Sequence, residues 1–208
     1  MSKAITTFQS HNLDNLKPNE PVVLFLHGYG ADERDLPELM SHLPDLAWLS
    51  PRATLDTQYD GYSWYSAVDL VHPTVEETSG ATDALWEFID QQVPTDSELI
   101  VIGFSQGGLM ATQLLRTRPA RIKATVILSG FVASGDLSGD KELLNTKPKV
   151  IYCRGAEDQM IPKTAISQIN LWLQTHTKAI TKTYSALGHS VDSRVMADVA
   201  SYVEGQLS

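Results

Sequence analysis

The amino-acid sequence predicts an α/β fold with a mainly parallel central sheet and helices on both of its faces. Short unbroken apolar runs, typical of strands buried on both faces, alternate with segments whose apolar residues recur at helical spacing. No repeat, linker or low-complexity tract interrupts this alternation in the sequence. Because 208 residues suffice for one well-buried core, we expect one domain spanning residues 1–208.

The individual elements follow from these two patterns. Strands are predicted where apolar runs end in turn-forming residues, at 21–26, 46–51, 99–104, 124–128, 149–153 and 181–185. Helices are predicted where apolar side chains return every three or four positions, at 35–43, 82–93, from residue 105 to Pro119, 164–176 and 191–203. The segment before residue 21 is interpreted as a polar start, residues 52–73 as an irregular loop, and 135–147 as a surface excursion.

Charge and composition exclude several classes of function. Sixteen Lys and Arg residues against 25 Asp and Glu residues give a net charge of −9, which argues against nucleic acid or an anionic membrane surface as the main partner. No apolar stretch is long enough for stable membrane insertion, and the N-terminus lacks a secretory pattern, so a cytoplasmic location is expected. Cys153 is the only cysteine and lies in an apolar run, which predicts a small buried side chain.

A strand turns abruptly into a helix at Ser105. Glycines stand two positions before and two positions after it, which gives the pattern Gly103-x-Ser105-x-Gly107 of a nucleophile elbow. Such an elbow exposes one hydroxyl at the carboxyl edge of a sheet, beside the first backbone N–H groups of a helix. The sequence therefore predicts a nucleophilic serine, with an ordinary structural turn as the alternative.

A serine nucleophile needs a neighbouring base, and histidine is the residue type suited to that task near neutral pH. Four of the six histidines lie in polar or helical stretches without zinc-ligand spacing, so no metal site is predicted; they are His11, His42, His72 and His176. His27 and His189 both follow predicted strands. His189 is favoured as the base because it comes after Ser105 and after a suitable acid, whereas His27 is expected to brace its loop.

The acid that orients His189 is predicted to be Asp158 rather than the adjacent Glu157, with helix capping as the alternative role for Asp158. The backbone N–H of Gln106 directly follows the nucleophile and is one expected oxyanion donor. The second is expected from Tyr29, in the glycine-rich loop after the first strong strand. Trp64 is expected either to line the substrate pocket or to cover the core.

Four motifs together resemble one family of enzymes. They are Leu26 to Asp32, Gly103 to Gly108, Gly155-x-x-Asp158-x-x-Ile161-Pro162, and Gly188-His189. In this order they are similar to the small carboxylesterase, phospholipase and acyl-protein thioesterase family of α/β-hydrolases. The likeness extends from about residue 22 to the last helix, and the sequence departs from the family pattern at 54–73 and 157–160.

The resemblance implies an α/β-hydrolase fold without a cap domain and hydrolysis of small carboxylic esters or thioesters without a cofactor. It implies a triad of Ser105, Asp158 and His189, oxyanion donors at Tyr29 and Gln106, and a place for Trp64 near the acyl pocket. Phe104 and Met160 are also expected to contact the substrate. Two other functions stay open: a non-catalytic protein of this fold that binds a small ligand, and an acyltransferase that uses the same triad. The oligomeric state also stays open, with a homodimer as one alternative.

Overall fold

A computed structural model of the chain describes residues 3–17, 19–58 and 60–207. Its strands are β1 (Phe8–His11), β2 (Val22–Leu26), β3 (Trp48–Pro51), β4 (Leu55–Asp56), β5 (Tyr62–Ser63), β6 (Leu99–Phe104), β7 (Ile122–Leu128), β8 (Lys149–Gly155) and β9 (Lys178–Tyr184). Seven of them form one sheet in the order β1-β3-β2-β6-β7-β8-β9, and β4 pairs with β5 in a small hairpin. Only β1 runs antiparallel to its neighbour in the large sheet, so the predicted mainly parallel sheet is confirmed.

Helices cover both faces of this sheet, as predicted. They are α1 (Val75–Gln92), α2 (Gln106–Thr117), α3 (Asp140–Thr146), α4 (Lys163–His176), α5 (Ser193–Leu207) and a 3₁₀ helix at Pro37–His42. Successive side chains along a strand point to opposite faces of the sheet, so the core consists of two clusters, one on each face. Leu24 belongs to the cluster that includes residues of α1 to α4, and Phe25 belongs to the cluster that includes residues of α5 and the 3₁₀ helix. In the described part of the chain, no helix is long and apolar enough to cross a membrane.

The α1 helix begins seven residues earlier than its apolar face predicts. Thr74 caps it in a reciprocal arrangement with Glu77, whose backbone N–H donates to the Thr74 hydroxyl while its carboxylate accepts from the Thr74 N–H. The first two turns look polar, but Thr78 is buried and its hydroxyl donates to backbone carbonyls of the preceding turn. Because a polar side chain, Thr78, takes a buried position here, the periodicity of apolar residues did not predict the first two turns of α1.

Three segments predicted to be irregular contain regular structure, and one of them, the loop predicted at 52–73, includes the paired strands β4 and β5. The polar start includes β1, whose exposed residues form a strand because their backbone pairs with β3. The supposed surface excursion at 135–147 includes α3, and Asp140 at its start is buried against Arg116 of α2. That ion pair, together with the buried side chain of Leu143, anchors the segment to the molecule.

The parallel sheet brings distant parts of the chain to one edge. Tyr29 follows the carboxyl end of β2, Ser105 follows β6, Asp158 follows β8 and His189 follows β9. Ligand chemistry in open α/β sheets belongs at this edge. Between β3 and α1, the described residues contain only the β4–β5 hairpin and loops, which agrees with a fold that has no cap domain.

Candidate active site

Ser105 occupies the turn between β6 and α2 with a backbone conformation that residues other than glycine rarely adopt, at φ 54° and ψ −114°. The strained turn is held because the Ser105 N–H donates to the Leu128 carbonyl at 2.8 Å, and the Ser105 carbonyl accepts from Leu109. A Cβ added at Gly107 would overlap the carbonyl oxygen of Leu26, and one at Gly103 would overlap that of Gly107. Both flanking glycines are therefore required by close backbone approach.

His189 and Asp158 meet in a direct hydrogen bond. The Nδ1 atom of His189 lies 2.8 Å from Oδ2 of Asp158, whose side chain is only 2% exposed. The other carboxylate oxygen accepts the backbone N–H groups of Met160 and Ile161 at 2.9 and 3.2 Å. Asp158 thus orients the histidine and also holds its own turn, but it does not cap α4, whose N-cap residue is Pro162 and which has no side-chain cap. The neighbouring Glu157 is exposed and does not take this place.

Ser105 and His189 both line a cavity of about 230 Å³. The Phe104 ring packs against the His189 imidazole with centroids 4.8 Å apart. The remaining wall is mostly apolar, which suits an acyl chain. Residues that line the cavity are Gly28, Tyr29, Leu70, Val71, Phe104, Ser105, Gln106, Phe131, Met160, Ile161 and His189.

Tyr29 and Gln106 approach the cavity from two sides. Tyr29 lies in the loop after β2 with a half-exposed side chain, and Gln106 begins α2, where backbone N–H groups have no partner within the helix. The loop is fixed behind Tyr29 by His27, whose Nε2 accepts the Ala53 N–H at 3.1 Å while Nδ1 lies 2.8 Å from the Gly28 carbonyl. This pattern assigns the proton to Nδ1, and burial lowers the pKa of His27 below its ordinary value.

Trp64 does not line the cavity, so the prediction that it forms a wall of the substrate pocket is wrong. It covers the core instead, which was the alternative prediction. Its side chain is 3% exposed and belongs to the main core cluster. The indole N–H donates to the His27 carbonyl at 2.8 Å, and its ring packs on the His27 imidazole. A buried indole N–H needs an acceptor, and here that acceptor is the His27 carbonyl in the loop after β2. This hydrogen bond directs the Trp64 side chain away from the cavity.

Several residues that line the cavity were not predicted from the sequence. Phe131 follows β7, so the rule that places ligand chemistry after parallel strands would have included it. Leu70 and Val71 lie in the irregular segment before α1 and carry no such signal. Their loop is held by Tyr65, whose hydroxyl donates to the Leu70 carbonyl at 2.7 Å and whose pKa is raised by burial.

The site contains no arrangement suited to a metal. Across residues 3–17, 19–58 and 60–207, the structure has no group of three or more His, Cys, Asp or Glu side chains that would hold an ion. The polar groups at the cavity include the Ser105 hydroxyl, the His189 imidazole with the Asp158 carboxylate behind it, and backbone amides. This set is suited to nucleophilic acyl transfer.

Comparison with known proteins identifies the family. Residues 13–207 match the sequence profile described as Phospholipase/Carboxylesterase. The chain belongs to this family. It is 26% identical to carboxylesterase SOBER1 of Arabidopsis thaliana, over 89% of this chain and 90% of that protein. It is 24% identical to acyl-protein thioesterase 1 of Saccharomyces cerevisiae, over 93% and 96% of the two chains.

Solved structures of carboxylesterases share the fold. The Bacillus cereus carboxylesterase superposes with a TM-score of 0.79 at 19% identity, covering 96% of this chain and 93% of that one. The Mesorhizobium loti carboxylesterase gives a TM-score of 0.77 at 16% identity, covering 95% and 94%. The α/β-hydrolase fold predicted from the motifs is therefore confirmed.

Proposed function

We propose that this protein is a serine hydrolase that cleaves small carboxylic esters, thioesters or lysophospholipids through an acyl-enzyme intermediate. One observation carries the proposal: a serine on a strained elbow shares a cavity with a histidine that is hydrogen-bonded to a buried aspartate. Membership of the Phospholipase/Carboxylesterase family and the names of the relatives support the same chemistry.

In the proposed first step, the hydroxyl oxygen of Ser105 attacks the substrate carbonyl carbon, and its proton passes to Nε2 of His189. Asp158 keeps the other nitrogen of the ring protonated and stabilises the imidazolium that forms. The carbonyl oxygen becomes an oxyanion, and the backbone N–H groups of Tyr29 and Gln106 donate to it.

The tetrahedral intermediate then collapses. The bond to the leaving alcohol or thiol breaks as His189 donates its proton to that group, leaving an ester on Ser105. Water next attacks this ester, gives one proton to His189 and releases the carboxylic acid, and the proton returns to the Ser105 oxygen. The apolar walls contributed by Phe104, Phe131 and Met160 receive the acyl chain.

A test of this function compares the wild type with Ser105→Ala. The wild type should react covalently with a fluorophosphonate at Ser105 and hydrolyse short p-nitrophenyl esters. Ser105→Ala should lose labelling and most turnover, because the nucleophile is gone while the fold remains. Equal labelling and turnover in the two proteins would contradict the proposal. Product analysis with a competing alcohol separates hydrolysis from transfer to another acceptor.

A further inference from the structure

We propose that the side chain of Gln106 is a positioning group that joins the two halves of the oxyanion hole. This inference rests on the proposed function, in which the backbone N–H groups of Gln106 and Tyr29 hold the oxyanion. These donors belong to separate segments, the start of α2 and the loop after β2. A set of buried hydrogen bonds that starts at the Gln106 side chain connects the two segments.

The first link runs from α2 to the β5 segment. Gln106 is 2% exposed, and its Oε1 accepts the Trp64 backbone N–H at 2.9 Å. Its Nε2 donates to the Ser63 hydroxyl at 2.9 Å, and that hydroxyl donates to the Tyr65 carbonyl at 2.7 Å. The oxygen and the nitrogen of the Gln106 side-chain amide are therefore both used to hold residues 63–65. The backbone N–H of Gln106 is then the part of this residue that is suited to a ligand.

The second link runs from the β5 segment to the loop that carries Tyr29. The Trp64 indole N–H donates to the His27 carbonyl at 2.8 Å, on one side of Tyr29. On the other side, the Tyr62 carbonyl accepts the Gly30 N–H at 2.9 Å, and the Tyr62 N–H donates to the Ala31 carbonyl at 2.9 Å. Residues 62–64 thus hold this loop before and after Tyr29, and Gln106 holds residues 63 and 64.

The geometry predicts an effect on the transition state rather than on substrate binding. Oxyanion donors act only when they lie about 2.7–3.1 Å from the charged oxygen, and a misplacement of about 1 Å can cost 10²-fold in rate. Loss of the link lets the Tyr29 amide move relative to the Gln106 amide. Because the ground-state substrate depends less on this spacing, kcat should fall while KM stays nearly constant.

The decisive variant is Gln106→Met, which retains the backbone N–H and most of the side-chain volume but removes both hydrogen bonds. We expect kcat for short p-nitrophenyl esters to fall about 10- to 100-fold, with KM within about twofold. Affinity for a trifluoromethyl ketone, which forms a tetrahedral oxyanion on the serine, should fall by the same factor as kcat/KM.

The matched control is Gln113→Met. Gln113 lies two turns along the same helix, is fully buried, and donates to the Thr78 hydroxyl at 2.7 Å, outside the cavity. Its replacement should lower the thermal midpoint of unfolding about as much as Gln106→Met does while leaving kcat within twofold of the wild type. An equal loss of kcat in the two variants would show a merely structural effect and overturn the inference.

Trp64→Phe tests whether the two links act in series, since it removes the indole donor to His27 and keeps a ring in the core. In a series arrangement, the double variant with Gln106→Met should lose no more kcat than the worse single variant. If kcat of the double variant instead falls by the product of the two factors by which the single variants lower kcat, the two side chains act independently and the inference fails.

Hydrogen exchange separates this inference from the proposed function. The amides of Gly30 and Ala31 should exchange faster in Gln106→Met than in the wild type, and at an unchanged rate in Gln113→Met. Unchanged exchange in Gln106→Met would overturn the inference whatever the activity. A wild type that hydrolyses no ester and resists fluorophosphonate would instead overturn the proposed function, while exchange still decides whether Gln106 holds the loop.

Discussion

Asp158 accepts the Nδ1 hydrogen of His189 with one carboxylate oxygen, at 2.8 Å, and holds its own turn with the other. The two oxygens are not interchangeable, because the amides of Met160 and Ile161 both converge on Oδ1. The environment therefore dictates which atom of any replacement side chain would face the imidazole.

We expect Asp158→Asn to lower kcat by about 10⁴-fold with little loss of stability. The asparagine oxygen would stay with the two backbone N–H groups, so its NH₂ would face Nδ1 of His189. That nitrogen must then accept, Nε2 carries the proton, and the imidazole no longer takes a proton from Ser105. Steady-state kinetics on p-nitrophenyl acetate together with thermal unfolding measure both effects.

The control for this prediction is Asp90→Asn, which removes the carboxylate of a surface ion pair with Arg118. Its kcat should match that of the wild type. A near-normal kcat in Asp158→Asn would show that His189 does not depend on this carboxylate.

The ion pair between Arg116 and Asp140 should contribute to stability and not to chemistry. Arg116 is 2% exposed and donates to both Asp140 carboxylate oxygens and to the carbonyls of Ala133 and Gly135. Burial alone would raise the pKa of Asp140, but its hydrogen bonds to Arg116 hold that pKa below the ordinary value. Asp140→Ala should lower the free energy of unfolding by about 3–5 kcal/mol because it leaves a buried guanidinium without its counter-charge.

Urea denaturation measures this loss, and kcat per folded molecule should stay unchanged. The double variant Arg116→Met, Asp140→Leu removes both charges and should recover most of the stability. If Asp140→Ala lowers the free energy of unfolding by less than about 1 kcal/mol, this pair does not anchor the segment at 135–147.

The neutral imidazole of His27 makes stability depend on pH. Burial lowers the pKa of His27 in the folded state below the ordinary 6.5. Below about pH 6.5, His27 is therefore protonated in the unfolded chain while it stays neutral in the folded protein. The free energy of unfolding should therefore decrease as pH falls from 6.5 toward the folded-state pKa, and this contribution should be constant above 6.5. Proton uptake on unfolding near pH 6 should be smaller in His27→Asn, and an identical uptake would contradict the assignment.

His72 should influence which acyl chains the cavity accepts. Its Nδ1 lies 2.9 Å from Asp69, and its Nε2 lies 2.8 Å from the Thr164 hydroxyl. His72 thereby connects the loop that carries the wall residues Leu70 and Val71 to the start of α4. That helix directly follows two other wall residues, Met160 and Ile161. Because such hydrogen bonds are worth about 0.5–1.5 kcal/mol, His72→Ala should raise the ratio of kcat/KM for octanoyl over acetyl esters roughly 2- to 12-fold.

The comparison variant is His176→Ala, which removes a histidine that bonds to the Trp172 carbonyl at the far end of the same helix. Its ester preference should equal that of the wild type. A ratio unaffected by His72→Ala would show that the two walls hold their spacing without this link.

The sequence predicted the sheet and the positions of the main chemical groups because both depend on local signals. Buried parallel strands such as β6 are continuous apolar runs, and Ser105, Asp158 and His189 each follow such a run or a strand-like segment within a few residues. Their meeting at one edge is a consequence of parallel strand direction.

What the sequence missed depends on contacts between distant residues. The β1 strand has no apolar pattern and exists because its backbone pairs with β3. The orientation of Trp64 is decided by Gln106 and His27, which lie 42 and 37 residues away. Local propensity carries no information about such partners, so an aromatic residue in a loop is equally compatible with a pocket wall and with the core.

The order of strands has a consequence for when this protein becomes active during folding. His189, the proposed base, follows β9, which is an edge of the sheet and the last strand in the described part of the chain, whereas Ser105 follows the central strand β6. Contacts across such long sequence separations form late, because closing long loops is costly in entropy. While the chain is being synthesised, Ser105 therefore stands on its elbow without its proposed base, and the proposed hydrolase activity should begin only after β9 has joined the sheet.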